Sequence, residues 1–300
     1  MKYVQLGNSE IKVSQLCVGC MSFGRPSEDF HQWTLNPQET ETIVRKSLDL
    51  GINFFDTANT YSHGTSEEYL GQALKKNIAR NKAVIATKVY FNEGHLSKEA
   101  INREIDGSLK RLGTDYVDLY IIHRFDYDTP IEETMEALDR LVKSGKVRAH
   151  GWTKFVSMQN HYNLLYREDE REMIPVCRQY NVSLTPYSPL ASGRLSRPEW
   201  HTDTKRSQTD KTAAQKYDST EETDSRIVKR VAKIAEKYDA TMSQISIAWL
   251  LAKGVTSPII GATKARYFDD AAGALDISLS QEDVAYLEEL YIPHKIVGAL

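Results

Sequence analysis

The chain has 300 residues, 41% hydrophobic and 26% charged, enough to bury a large core as one barrel or as two ordinary domains. A formal charge of −3 offers no basic field for nucleic acid, and no apolar run approaches a bilayer span, so neither partner is expected. The start, Met1-Lys2-Tyr3-Val4-Gln5-Leu6-Gly7-Asn8, lacks a signal-peptide core, and Cys17, Cys20 and Cys177 form no disulfide framework, which together predict a cytoplasmic protein.

Residues 3–6 and 11–13 flank the turn residues Gly7-Asn8-Ser9-Glu10, the pattern of a short hairpin. Strand and helix patterns then alternate. Residues 15–18 precede a loop, 19–37, and a helix is expected over 38–50. The run 52–55 leads to a helix carrying Leu70, Leu74 and Ile78, and 83–87 to one carrying Ile101, Ile105, Leu109 and Leu112. The run 117–122 leads to a helix with Ile131, Met135, Leu138 and Val142 on one face, opened by Pro130. Further strands are expected at 155–158, 182–185 and 258–260, and helices over 167–179, 243–252, 265–273 and 281–290. Another helix carries Ile227, Val231, Ile234 and Tyr238. Between them, 190–223 reads as a long polar loop. Cys17 and Cys20, in the apolar run from Leu16 to Met21, read as buried thiols, because no second pair completes a metal site.

Repeated strand-then-helix order predicts a parallel sheet with helices outside it. No G-x-G-x-x-G or P-loop follows a strand, so a (β/α)8 TIM barrel is favoured over a doubly wound sheet. The expected domain is a single barrel over residues 1–300, with an N-terminal β-hairpin and extra C-terminal helices. The strand count is one short. Between the helix ending near Ser144 and the strand at Phe155 stand only Gly145 to Lys154, room for a loop and a stub of strand but not for a strand plus a crossover helix. The fifth βα unit is therefore expected to be missing or incomplete near Ala149-His150.

Barrel enzymes build their sites at the C-terminal ends of strands. Asp56 ends the second strand, with Tyr61 in the loop beyond. Lys88 ends the third, His123 the fourth, and Gln159 the strand at 155–158. Each has a plain structural reading: a capping Asp and a surface Tyr, a snorkelling Lys, a satisfied His. Together on one rim they suit acid–base chemistry. An ammonium beside a phenol favours the phenolate and is expected to lower the Tyr61 pKa, while a carboxylate keeps the lysine charged. Such a set can protonate an oxygen gaining negative charge, and the electrons would come from a redox cofactor. No serine or cysteine nucleophile with a paired base is in evidence, nor a metal-ligand cluster.

Gly51-Ile52-Asn53-Phe54-Phe55-Asp56-Thr57-Ala58-Asn59-Thr60-Tyr61, Thr87-Lys88, Ile122-His123-Arg124 and Ser157-Met158-Gln159 resemble the aldo-keto reductases over nearly the whole chain. The nearest likeness is to bacterial reductases of the branch that includes the potassium-channel β-subunits. The resemblance implies a barrel that reduces aldehydes or ketones with NADP(H), preferring NADPH to NADH. Tyr61 would be the general acid, Lys88 and Asp56 would tune it, and His123 would orient the carbonyl. It also implies that Tyr187 stacks the nicotinamide, that Gly19, Met21, Asp56 and Gln159 lie at the cofactor, and that Ser188, Leu190, Ser192, Gly193 and Arg194 approach the pyrophosphate. Residues 190–223 would cover it, with Lys205, Arg206 and Lys211 adding positive charge. Gly261-Ala262-Thr263-Lys264 opens a helix and would hold the 2′-phosphate, with Tyr267 and Asp270 standing where the family contacts adenine.

Each of these has an alternative: turn chemistry for Tyr187 before Ser188-Pro189, and a solvated charged loop for the lysines. Phe23, Trp33, Tyr90, Arg124 and Phe125 lie in or beside rim loops and could line a pocket for a small-molecule carbonyl substrate, or pack in the core. The rival reading of the whole is an NADP(H)-binding sensor or partner subunit with little turnover. Substrate identity and oligomeric state are not legible in the sequence.

Overall fold

The computed structural model describes residues 1–149, 155–202 and 205–297, with the backbone alone for Ala149, Lys205 and Arg206. The chain opens with strands β1 (Tyr3–Gln5) and β2 (Lys12–Ser14), paired antiparallel as the expected hairpin. Strand β3 (Cys17–Gly19) is followed by helix α1 (Pro37–Asp49), which starts at a capping box between Asn36 and Glu39 with Pro37 in its first turn. Strand β4 (Phe54–Asp56) leads to α2 (Thr65–Asn77), β5 (Val84–Val89) to α3 (Lys98–Leu112), and β6 (Val117–Ile122) to α4 (Ile131–Lys143). Pro130 is the residue before α4 rather than inside its first turn.

Strand β7 (Val147–Ala149) follows and pairs parallel with β6, Val117 against Val147 and Leu119 against Ala149. It stands at the fifth strand position, where the sequence left room for a stub. Strand β8 (Ser157–Met158) comes next, after residues 150–156, of which 150–154 lie outside the described residues. The helix α5 (Met173–Gln179) is shorter than the expected 167–179, because Glu168–Glu170 forms a separate 3-10 turn. Strand β9 (Ser183–Leu184) pairs with β8.

The region 190–223, expected as loop, contains α6 (Lys205–Thr209) and α7 (Lys211–Tyr217), with 3-10 turns at Ala191–Ser196 and Asp218–Thr220. Asp210 caps α7, its side chain accepting from the Ala213 N–H, a local signal inside an otherwise polar stretch. The chain ends with α8 (Glu221–Lys237), α9 (Met242–Ala252), β10 (Ile259–Gly261), α10 (Arg266–Gly273) and α11 (Gln281–Glu288).

The strands form a parallel sheet in the order β10-β3-β4-β5-β6-β7. The β8–β9 pair joins its other edge through backbone bonds to the segment entering β10: Thr256 N–H donates to Leu184 O and Ile259 N–H to Pro186 O, each 2.9 Å. This is the α/β barrel, with eight strand positions from β3 to β10. Alternation along the strands builds it: Phe54 and Val84 point into the barrel, whereas Phe55 and Ile85 pack outward under the helices. The hairpin closes the bottom, with Leu6, Ile11 and Val13 packed on Cys17, Phe54 and Leu119. Among the described residues no helix is long and apolar enough to cross a membrane.

Candidate active site

Asp56 is the third residue of β4 and points inward by the same alternation that turns Phe54 inward; it is 3% exposed. Lys88 also points inward, above Ala86, whose small side chain leaves it room. The register sets Asp56 beside Ala86 and Lys88 beside Ile121. The lysine reaches back to the carboxylate. Its Nζ donates to Asp56 Oδ2 and to the Thr57 carbonyl, each at 2.6 Å, and to Tyr61 Oη at 3.2 Å. All three ammonium protons are thereby directed. Because Tyr61 Oη accepts from Lys88, its own O–H remains available for another acceptor.

Tyr61 begins a 3-10 turn, Tyr61–Gly64, in which Ser62 and His63 take left-handed φ of 47° and 55°. Ser62 Oγ pins that turn by donating to the Phe23 carbonyl at 3.1 Å. Burial would pull the Lys88 pKa down, but the Asp56 carboxylate, with Tyr61 adding, more than offsets it and holds the ammonium above its ordinary value. For Tyr61 the balance goes the other way. Burial raises its pKa and Lys88 lowers it, and the net shift is upward. The expected lowering is thus corrected: in the folded chain desolvation outweighs the cation, and the phenol keeps its proton at neutral pH.

His123 continues the β6 ladder, its N–H donating to Val89 O at 3.0 Å. Its ring lies edge-on to Tyr61, 5.9 Å between centroids, and to Phe91, 5.0 Å. Burial, with Lys88 and Arg124 nearby, lowers its pKa to about 3, so the imidazole is neutral, and its buried Nδ1 has no hydrogen-bond partner. A neutral imidazole beside a phenol can donate to or accept from a substrate oxygen. Gln159 donates to Asp56 Oδ1 at 2.8 Å, so it is held by the carboxylate of this cluster.

These residues floor a cavity of about 2530 Å³. Its walls include Gly19, Met21, Tyr187, Ser188, Leu190, Ser192 and Gly193, and at the far end Gly261, Thr263, Lys264, Tyr267 and Asp270. Tyr187 ends a stack of near-parallel rings: His161 lies 5.1 Å from it at 12°, and Tyr166 lies 4.1 Å from His161 at 14°. Ser188, Ala191 and Ser192 share positive φ with Gly193, and the turn is closed by its own backbone bonds, Ala191 N–H donating to Ser188 O at 3.0 Å and Gly193 N–H to Leu190 O at 2.8 Å. Asp270 accepts from Thr241 Oγ1 at 2.7 Å, which ties it to the α9 cap.

Several expected positions differ. Arg194 is buried away from the cavity, paired with Asp218 and lying 5.3 Å from the Trp200 ring and 5.1 Å from the Tyr217 ring. Arg197 and Lys216 line the cavity in its place, and Lys216 Nζ stands 4.7 Å from the Tyr187 ring centre. Lys211 is exposed on α7; the side chains of Lys205 and Arg206 lie outside the described residues. Phe23 is fully buried in the outer core and Tyr90 packs against His95 and Phe91, so neither lines the cavity. Trp33, Arg124 and Phe125 do, joined by His31, stacked 4.6 Å from Trp33. Sequence reasoning missed Arg197, Lys216 and His31. The one signal for Lys216 is its place beside Tyr217, an aromatic in a helix capped by Asp210.

An α/β barrel with a carboxylate, ammonium, phenol and imidazole converging at its strand ends is the frame of an enzyme of carbonyl chemistry. The aldo/keto reductase family model matches residues 15–155 and 148–292, and the chain belongs to that family. It is 40% identical over 341 aligned positions to the versiconal hemiacetal acetate reductase of Aspergillus parasiticus, covering 99% of this chain and 98% of that protein. A candidate aryl-alcohol dehydrogenase of Schizosaccharomyces pombe is 40% identical over 349 positions, with 99% and 98% covered. The crystal structure of a thermostable aldo-keto reductase in complex with the inhibitor epalrestat superposes with a TM-score of 0.78 at 27% identity, over 97% of this chain and 100% of that one. The protein is an oxidoreductase acting on carbonyl or CH–OH groups.

Proposed function

We propose that this protein reduces aldehydes or ketones to alcohols with NADPH, using Tyr61 as the proton donor. The observation that carries the reading is the Lys88 ammonium at 2.6 Å from Asp56 and 3.2 Å from Tyr61 Oη, with the neutral His123 ring beside it. The cavity suits a dinucleotide: the ring stack ending at Tyr187 offers a flat platform, and the walls that include Ser192 and Gly193 also carry Arg197 and Lys216. Lys264, with Thr263 and Gly261, lines the end where a 2′-phosphate would bind, and residues 190–223 would cover the cofactor. The whole of residues 1–300 is read as one catalytic barrel domain.

NADPH, which Tyr187 and Lys264 would hold, would supply the hydride for the carbonyl carbon and be oxidised to NADP+. The carbonyl π bond breaks toward oxygen, which takes the proton from Tyr61. Lys88 donates to the phenol oxygen throughout, so the phenolate left behind is formed against a fixed positive charge. Asp56 keeps that ammonium aimed, and Gln159 keeps Asp56 aimed. His123, held neutral, positions the substrate oxygen without placing a second cation beside Lys88. Trp33 and Phe125 line the same cavity and offer apolar wall to the rest of the substrate.

Titrating NADPH into the protein, then following its absorbance with a panel of aldehydes and ketones, tests the reading. Tyr61→Phe should keep NADPH binding and lower kcat by about 10²- to 10⁴-fold. Full turnover in that variant refutes the proton donor. Tight NADPH binding with no carbonyl reduced favours instead the cofactor-binding sensor or partner subunit.

A further inference from the structure

The segment that carries Tyr61 is pinned from outside the barrel. The turn Tyr61–Gly64 runs without a break into α2, so the phenol is placed by wherever the start of that helix lies. Ser62 and His63 hold φ of 47° and 55°, a left-handed path that residues other than glycine resist, so the turn does not set its own shape. Lys88 does not set it either. Its bond to Tyr61 Oη, at 3.2 Å, is the longest of its three, and the Asp56 and Thr57 oxygens, each at 2.6 Å, hold the same ammonium more closely.

Two consecutive side chains fix the start of α2. Ser66 Oγ donates to the Cys20 carbonyl at 2.7 Å and lies 3.0 Å from Thr57 Oγ1. Glu67, fully buried, accepts from Thr87 Oγ1 with one carboxylate oxygen and from Arg111 Nε with the other, each at 2.6 Å. Thr87 is the residue before Lys88 on β5. Strand alternation turns its side chain out under the helices while Lys88 points into the barrel, so the tether and the ammonium sit on adjacent residues. Arg111, from α3, closes the arrangement. A Cβ added to Gly64, at the end of the Tyr61 turn, would come within 2.7 Å of Arg111 Cδ, so this side chain rests on the turn while it pairs with Glu67. A buried ion pair is weak evidence for stability, since apolar side chains of similar volume often pack as well or better. What this one does is join, through a single side chain, the helix that follows Tyr61 to the strand that bears Lys88.

We propose that Glu67 is a positioning residue for the proton donor: through Thr87 it holds the start of α2 against β5 and so sets the contact between the Tyr61 oxygen and the Lys88 ammonium. The inference rests on the reductase reading and adds to it a residue that acts only through others. With the tether in place, the ammonium stands against the phenol oxygen and favours the phenolate left by proton transfer. Without it the two separate, and the transfer loses that stabilisation.

The test removes one hydroxyl. Thr87→Val keeps the shape of the side chain and deletes the donor to Glu67, whereas Thr87→Ser keeps the donor. In Thr87→Val, kcat with a reducible aldehyde should fall about tenfold or more while the NADPH Kd stays within about twofold, because alignment is lost and cofactor contact is not. Thr87→Ser should recover most of the loss. Glu67→Gln, whose amide oxygen still accepts from Thr87, should fall between the two. A weakened fold would scale activity without moving its pH dependence. Alcohol oxidation by NADP+, the reverse direction, needs the phenolate, which Lys88 favours and burial opposes. Its rise with pH should therefore shift to higher pH in Thr87→Val and return in Thr87→Ser. A readout without turnover is the ζ-carbon NMR resonance of Tyr61 at neutral pH, assigned by its absence in Tyr61→Phe, which should move and return in the same two variants.

Unchanged kcat in Thr87→Val overturns the inference. So does a lower kcat with the pH profile and the Tyr61 resonance unmoved, because the bond then serves the fold alone. If the wild type binds NADPH and reduces no carbonyl, the reductase reading fails and the resonance alone decides. A shift reversed by Thr87→Ser then keeps Glu67 as the residue that places Tyr61, and no shift sinks it.

Discussion

The two sides of the cavity are built by different physics. On the β4–β6 side, position is set by backbone register. Asp56, Lys88 and His123 each sit at the end of a ladder, with β5 and β6 paired over four residue steps, and the lysine's three protons are all assigned. On the β8–β9 side the ladder is two residues long, and position comes from side chains: Tyr166, His161 and Tyr187 stacked like plates, with Tyr217 Oη 2.7 Å from His161 Nε2. Acid–base chemistry needs charges held to a few tenths of an ångström, and a ladder supplies that. A platform for a flat ring needs only a plane, which stacking supplies beside a ladder of only two residue pairs.

The largest expected effect breaks the first side. Lys88→Met removes the cation against which the buried Asp56 carboxylate is paired, leaving a buried charge that among the described side chains keeps the Gln159 amide as donor. Unfolding in urea should show a loss of about 3–5 kcal/mol, along with abolished turnover. The stacking side should be far more tolerant, a ring pair being worth about 0.5–1.5 kcal/mol beyond its burial. A Lys88→Met protein within about 1 kcal/mol of wild type would mean that the register argument overstates what the pair contributes.

That asymmetry also separates what the sequence made legible from what it hid. Asp56, Lys88 and His123 stood out because a polar residue closing a buried strand is a strong pattern, and the barrel places every such residue on one rim. Register did the rest. The direction of the Tyr61 pKa was misjudged because charge partners are visible in sequence and depth of burial is not. For Phe23 and Tyr90 the sequence leaves pocket and core open, because an aromatic near a rim looks the same whether it faces the cavity or the core. In the region 190–223, α7 folds over Tyr187 through Lys216, and Asp218 just beyond it holds Arg194. Neither the burial of Arg194 on Asp218 nor the approach of Lys216 to Tyr187 has a local signature. The strand β7 was legible only as a possible stub, since three residues give too short a period to recognise.

A smaller effect sharpens the cofactor side. Lys264 lines the cavity beyond β10, the strand that joins the two sides by pairing with β3 and donating its Ile259 N–H to the Pro186 carbonyl just past β9. If its ammonium meets a 2′-phosphate, Lys264→Ala should weaken NADPH about 10- to 100-fold and leave NADH within about twofold, as expected for one charge-assisted hydrogen bond. Fluorescence titration of both nucleotides measures this. Equal losses would mean that Lys264 acts on the fold of the α10 entry rather than on the phosphate.

The effect that is smallest at neutral pH concerns acid stability, and both sides carry it. Burial, with Lys216 and His294 near, lowers the His161 pKa to about 3, and burial with Lys88 and Arg124 does the same to His123. An ordinary histidine titrates near 6.5. Below that pH the unfolded chain binds protons that these folded imidazoles refuse. Stability from each should be full above about pH 6.5, fall as pH drops, and level off near pH 3, with a slope of about 1.4 kcal/mol per pH unit for each histidine. His161→Phe keeps a flat ring between Tyr166 and Tyr187 and removes one titrating group. Urea unfolding between about pH 4 and pH 6 should therefore show its slope reduced by about one proton, while Tyr187 still stacks and NADPH binding at neutral pH changes little. An unchanged slope would mean that His161 is protonated in the folded chain. The stack under Tyr187 would then carry a positive charge, and the second side of the cavity, like the first, would be organised by electrostatics.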